Sequence, residues 1–386
     1  MTPEEILPDG LLERIRGRAA GYDRDNAFFH EDLEELVEAG YLKLFVPADD
    51  GGKGLGLAAA AQCQRRLATA APATALALNM HLVWTGVAQV LAARGDASLD
   101  FVLQEAAEGE VFAFGNSEGG NDSVLFDSRT VAHPQPGGGY TFTGAKIFTS
   151  LSPAWTRLGI FGKDASGRDG DGELVHGFIT RETPGYRILD DWDTLGMRAS
   201  QSSTTVLDGV EVPGDRIFRK LPVGPSPDPL IFAIFACFET LLAAVYTGLG
   251  ERALAAGVET VKRRTSFKNG GRSYAQDPDI RWKVAEAAMA MDNLYPQLAS
   301  VAGDVDSLAD HGPQWFPKLV GLKVNATETA RRVVDLAIRV SGGSSYFRGS
   351  ELERLYRDVL AGMFHPSDDE SAHNTVANAW LGPLEE

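Results

Sequence analysis

The stretch RDVLAGMFHPSDDESAHN, residues 357–374, gathers His365, Ser367, Asp368, Asp369, Glu370 and His373. Three readings are open to such a set. Two histidines with a carboxylate can hold a metal ion, but no standard ligand spacing is present here. A histidine can move protons or donate hydrogen bonds near neutral pH. The plainest alternative is a helix start. Ser367 followed three residues on by Glu370 is a capping box, and Pro366 with two aspartates suits a first turn. The stretch therefore predicts a loop-to-helix junction whose acids and Ser367 are structural and whose chemistry lies in His365. That helix terminus should hold the imidazole neutral at pH 7.

Composition narrows what such chemistry serves. The chain has 386 residues, 44 % of them apolar, enough for two or three domains or one multi-layer unit. A net charge of −17 argues against nucleic acid or an anionic membrane surface as partner. Cys63 and Cys237 lie in apolar, helical surroundings and are expected as buried free thiols. The N-terminal segment has no basic-then-apolar leader, and no run reads as a membrane span, so a soluble, cytoplasmic protein is expected.

The elements that must position these residues fall into three zones. Residues 1–110 carry apolar residues at helical spacing, interrupted by the glycine-rich VPADDGGKGLG, which lacks the ending of a phosphate loop. From 111 to 227 the pattern changes to short β-branched or aromatic runs such as YTFTGAKIF and STTVLDGVEVP, predicting a small antiparallel barrel or sandwich. Helical periodicity returns over 228–386. Its first run, PLIFAIFACFETLLAAVYTGLG, is apolar all round and must be buried on every side, in a bundle core or an oligomer interface.

This layout, with GNSEGGNDS, YTFTGAKIFTS, WDTLGMRASQSSTTVLDGVEVP, RRTSF and VSGGSSYFRGSELERLYRDV in order, resembles the acyl-CoA dehydrogenase superfamily from about residue 30 onward. The resemblance implies a mainly α fold with a central β domain: an N-terminal helical domain, a middle β-barrel or sandwich and a C-terminal four-helix bundle. It also implies a flavin, a homotetramer and a small-molecule substrate. Phe148 and Ser150 would lie at the flavin ring, with Ser117 and the backbone of Gly119 and Gly120 along the opposite edge. Arg264 and Phe267 stand in the Arg-x-x-Phe segment, and Gly343 in the Gly-Gly block. Arg198 would buttress the domain junction. His81, in NMHLVWTG, lies on a helix that borders the active site in the fold; it is either a second proton-handling group or a core histidine.

The departures from the family pattern are as informative. Counted from Arg357-Asp358, the usual catalytic glutamate falls on Pro366, next to His365, where some flavin monooxygenases of this fold carry a histidine. A second family location for the glutamate falls at Phe238, one residue short of Glu239. Where FAD-holding members use two glutamines, this chain has Arg281 and Arg339, which with Arg264 would clamp a terminal phosphate. These breaks imply a two-component monooxygenase that takes reduced FMN or FAD from a separate flavin reductase. An acyl-CoA dehydrogenase using Glu239 as base, or an inactive oligomeric scaffold, are the alternatives. No metal is expected.

Overall fold

The need to bury apolar faces sorts the chain into helical, sheet and helical zones, in a computed structural model that describes residues 1–166 and 172–384. The first zone contains α1 (Pro3–Ile6), α2 (Asp9–Asp25), α3 (His30–Glu38), α4 (Leu57–Ala68), α5 (Pro72–Ala92) and α6 (Asp100–Glu108). The glycine-rich stretch before α4 is a loop, with Gly51 and Gly54 in the left-handed region. Proline opens α5, whose residues are buried on nearly every side.

The middle zone holds β1 (Phe112–Gly115), β2 (Val131–Pro134), β3 (Tyr140–Lys146), β4 (Arg157–Asp164), β5 (Glu173–Thr180), β6 (Tyr186–Ile188), β7 (Thr205–Val212) and β8 (Ile217–Pro222). The strand order is β6-β7-β3-β2-β4-β5-β8. An antiparallel sheet was expected, yet β1 runs parallel to β4, Phe112 opposite Arg157. The hairpin of β2 and β3 intervenes between β1 and β4, so the chain returns to β4 in the same direction as β1. Two halves, β6-β7-β3-β2 and β4-β5-β8, meet through one parallel pairing of Val131 with Lys163. The sheet seats on α5 through Trp84, whose Nε1 donates to Ala113 O at 2.9 Å. A Cβ on Gly159 would fall 2.4 Å from that indole, so glycine is what permits the contact.

The last zone holds α7 (Pro229–Arg263), the short strands β9 (Thr265–Ser266) and β10 (Arg272–Ser273), α8 (Pro278–Asp306), α9 (Trp315–Ser341), α10 (Glu351–Val359) and α11 (Asp369–Leu381). Asp228 caps α7 by accepting from Leu230 N at 2.8 Å. The helix then runs between α4 and α5 on one side and α8 and α9 on the other. Against expectation, α5 and α7 are both long and apolar enough to cross a membrane, with mean hydropathies of 1.4 and 2.0. In each, 89 % of the apolar 18-residue stretch is buried within the chain, so its apolar surface is core. Cys63 and Cys237 are buried free thiols.

A further junction pins the helical zones to the sheet zone. Arg357 grips both carboxylate oxygens of Asp23, at 2.9 and 2.6 Å. Met197 N donates to Asp358 Oδ1 at 2.6 Å. Arg198 donates to Asp23 O at 2.9 Å and to Asp193 Oδ1 at 2.8 Å, which makes it a buttress between α2 and the turn after β6.

Candidate active site

The loop that carries His365 leaves a 3-10 turn (Leu360–Met363) and is held from behind by α9. Lys323 on that helix is 1 % exposed. Its ammonium donates to Ser367 O at 2.8 Å, Gly362 O at 3.1 Å and His365 O at 3.4 Å. Gly362 allows the close approach: a Cβ there would meet Thr327 Cγ2 at 2.9 Å and Tyr246 Cε1 at 3.1 Å. His365 Nε2 lies 2.7 Å from Tyr246 Oη. Burial, and then the Lys323 ammonium, push the imidazole to about 3, so it is neutral at pH 7. Neutrality was expected from the helix terminus; its causes are desolvation and a nearby cation.

Ser367 does not cap the helix. Asp368 is the N-cap, accepting from Ser371 N at 2.9 Å, and α11 starts at Asp369. Ser367, at φ +56°, instead donates its hydroxyl to Glu239 Oε1 at 2.5 Å. Asp368 serves as cap equally well, whereas a buried carboxyl without a donor is costly. Glu239 is 1 % exposed, and its Oε2 has no partner among the described residues. Burial raises its pKa to about 8, against the opposing Ser367 hydrogen bond and the Lys323 charge. Tyr246 follows Glu239 by two helical turns and so shares its face of α7. His373 turns away, its Nδ1 donating to Asp369 O at 2.6 Å. Among the described residues no group of three His, Cys, Asp or Glu side chains is arranged to hold a metal.

His81 belongs to the core. It is 0 % exposed, its Nε2 donates to Leu42 O at 2.6 Å and its Nδ1 accepts from Phe112 N at 3.1 Å. Both ring nitrogens are committed, and burial lowers its pKa to about 4. Its candidacy as a second catalytic group is therefore corrected to that of a pin joining the Leu42 turn, α5 and β1.

The sheet zone supplies a second cluster, one that sequence reasoning missed. Lys146, 0 % exposed, places Nζ 2.6 Å from Glu118 Oε1 and 4.2 Å over the Phe161 ring. Glu118 also accepts from Ser128 Oγ at 2.7 Å, Arg129 N at 2.6 Å, Thr130 N at 3.0 Å and Thr130 Oγ1 at 2.6 Å. Burial alone would raise this carboxyl; the ammonium and these donors outweigh it and hold it at about 2. A signal existed in the sequence, since Tyr140, Phe142 and Lys146 fall on one face of β3 at even spacing.

This pair fixes the loops on either side of it. Ile147 N donates to Ser117 O at 2.9 Å, bringing half-buried Ser117 beside the 147–150 turn. Phe148, at φ +55° and 52 % exposed, stands edge-on to Trp192 with centroids 6.1 Å apart. The buried Ser150 hydroxyl lies 2.7 Å from Ser202 Oγ, which lies 2.8 Å from Ser200 Oγ. Asn116 Nδ2, also buried, has no partner among the described residues. Phe148, Ser150 and Ser117 are thus brought together.

The arginines gather at one end of the bundle without sharing an acceptor. Arg264 donates to Ser341 O and lies 5.3 Å over the Tyr274 ring. Arg281 donates to Ala275 O at 3.2 Å, and exposed Arg339 pairs with Asp335 at 2.6 Å. Among the described residues of one chain the three guanidiniums share no acceptor, each being engaged by its own carbonyl or carboxylate with further N–H donors left over. Phe267 is fully exposed in the β9–β10 hairpin, and Gly343 is exposed in the turn after α9.

The family described as "Acyl-CoA dehydrogenase, N-terminal domain" matches residues 10–110, and "Acyl-CoA dehydrogenase, C-terminal domain" matches 240–369. L-evernosamine nitrososynthase of a Micromonospora species is 31 % identical over 366 residues, covering 92 % of this chain and 84 % of that protein. Dibenzothiophene monooxygenase of Rhodococcus qingshengii is 24 % identical, covering 92 % and 88 %. Among solved structures, KijD3 in complex with FMN and dTDP-3-amino-2,3,6-trideoxy-4-keto-3-methyl-D-glucose superposes with a TM-score of 0.85 at 26 % identity, covering 99 % of this chain and 94 % of that one. With helical N- and C-terminal zones around a central sheet and these matches along its length, the chain belongs to the acyl-CoA dehydrogenase superfamily.

Proposed function

We propose that this protein is a two-component flavin monooxygenase that oxidises the amino group of a small substrate, an amino sugar being the best fit. The observation that carries this reading is the contrast between two side chains. His365 presents a neutral imidazole on Tyr246, while Glu239 is buried and tied to Ser367. A dehydrogenase needs an open carboxylate to remove a proton beside a thioester; an oxygenase needs a neutral group that handles protons or hydrogen bonds at the oxygen being transferred. The likeness to L-evernosamine nitrososynthase, and to a solved relative holding FMN and an amino-deoxysugar nucleotide, supports an amine as the atom oxidised.

The residues of the sheet zone fit a flavin. The unpartnered Asn116 amide and the Ser150–Ser202–Ser200 hydroxyl chain offer donors to a ring edge lined with acceptors. Phe148 and Trp192 offer an apolar cover. Bound in its reduced form, the flavin supplies the two electrons that divide dioxygen between the substrate and water. Phe148 and Trp192 then exclude water, Ser150 and Asn116 orient the ring, and His365 hydrogen-bonds to the reacting oxygen. A separate reductase would deliver the reduced FMN or FAD. We place the protein in the cytoplasm as a homotetramer, with Phe267, Trp282, Tyr346 and Phe347 as exposed apolar groups available for assembly.

The test is to supply reduced FMN or FAD from a reductase, in air, with amino-sugar nucleotides, and to look for products heavier by oxygen. His365→Gln should lower turnover by roughly 10²-fold or more, with flavin affinity and fold unchanged. Anaerobic reduction of a dye by acyl-CoA, abolished by Glu239→Gln, would replace this reading with the dehydrogenase.

A further inference from the structure

A neutral imidazole carries one proton on one of two nitrogens, and which nitrogen decides whether it offers a donor or a lone pair. In this structure Nε2 of His365 is engaged by Tyr246 Oη at 2.7 Å, and among the described residues no group is paired with Nδ1. Tyr246 is 0 % exposed, and its ring is packed against Gly362. Burial raises its pKa well above the usual phenol, so the hydroxyl keeps its proton.

That proton must be placed. If Nε2 held the imidazole proton and donated to Oη, the phenol hydrogen would have no acceptor among the described residues, where His365 is the hydroxyl's one hydrogen-bond partner. A buried donor left unmade is the least favourable outcome available to such a pair. If the phenol donates to Nε2, every group is satisfied and the imidazole proton resides on Nδ1, at the partly exposed side of the residue. The Lys323 ammonium disfavours a second proton on the ring, while its grip on the carbonyls of Gly362, His365 and Ser367 stops the loop from carrying the ring away from Tyr246.

We propose that Tyr246 is a positioning residue that fixes His365 in the Nδ1-protonated tautomer, so that its open edge is an N–H donor. This rests on the oxygenase reading for its purpose. A fixed N–H donor orients and stabilises negative charge developing on the oxygen that leaves towards water, and it withholds the lone pair that would act as a base.

The experiment is nitrogen-15 NMR of the full-length protein grown with histidine labelled only at Nδ1. The His365 line is identified by its loss in His365→Gln. In the wild type it should appear as a protonated nitrogen. In Tyr246→Phe, which removes only the hydroxyl, the line should move largely to the unprotonated position, because free imidazole side chains favour the other tautomer. A wild-type line at the unprotonated position would overturn the proposal, as would a Tyr246→Phe line that stays where the wild type's is. Neither measurement needs flavin, oxygen or substrate, so failure of the oxygenase reading would leave the tautomer result standing. With substrate, Tyr246→Phe should lower kcat about tenfold with KM and flavin affinity little changed; an unchanged kcat alongside a shifted line would confirm the tautomer and count against the oxygenase role of His365.

Discussion

Glu118→Gln keeps the volume of its side chain and removes one charge from beneath the 116–120 and 147–150 loops. In the native protein this carboxyl is held at about 2 against a usual 4.5. At about 1.4 kcal/mol for each pH unit, that gap corresponds to about 3 kcal/mol of stability. Breaking a buried pair by removing one partner costs roughly 3–5 kcal/mol, so two independent arguments agree. The sign follows from the direction. A depressed carboxyl stabilises the fold above its unfolded value and loses that contribution as pH falls through the folded one. Wild type and Glu118→Gln, compared by equilibrium urea unfolding, should therefore differ by about 3 kcal/mol at pH 7 and by less than half of that at pH 3. In the variant Lys146 loses its counter-charge, and its ammonium, already pushed down to about 8 by burial, should titrate lower still. Flavin affinity should fall too, because Ser117 and Ile147, the chain neighbours of Glu118 and Lys146, are hydrogen-bonded to each other. Equal stability at pH 7, or a difference that ignores pH, would refute the reasoning.

Other outcomes follow from the helical side of the site. Lys323→Met leaves three carbonyls without their donor and Glu239 without a nearby cation; it should cost roughly 3–5 kcal/mol and speed hydrogen exchange across residues 360–368. Ser367→Ala removes the one donor that the Glu239 side chain has among the described residues and should cost about 1–3 kcal/mol, yet leave the helicity of α11 unchanged, since Asp368 is the cap. Glu239 is raised from 4.5 to about 8, so the stability it contributes is full below 4.5 and is lost as pH rises through 8. Glu239→Gln should flatten that decline, seen as a smaller change in urea midpoint over the same window. His81→Leu should destabilise by about 2 kcal/mol or more through the stranded Leu42 carbonyl and Phe112 amide, with kcat of the folded protein preserved.

How far the sequence could be read depended on the range of the interaction concerned. The burial of α7 followed from an apolar surface on all its faces, a purely local property. His365 is singled out in the sequence by its distance from Arg357-Asp358, because the motif ties the loop to a recognisable helix. The bond between Ser367 and Glu239 was not legible, as its partners lie 128 residues apart and a sound local rule gave the serine another task. Lys146 showed its inward direction through the period of β3, but nothing in that strand indicated that Glu118 would meet it. The arginines are legible only in part. Arg264 and Arg281 each give one donor to a main-chain carbonyl, a partner that every residue has and no side-chain pattern reveals.

Lys323 holds the His365 loop by its carbonyls, not by its side chains. The main-chain path is consequently held from outside the loop's own side chains, with Gly362 beneath Tyr246 and the Ser367 hydroxyl on Glu239 as the positions that the loop itself fixes. A fold anchored in this way can exchange the reactive group at one position without rebuilding the support under it. A new group at position 365 would find the same support beneath it, provided that it still accepts from the buried Tyr246 hydroxyl.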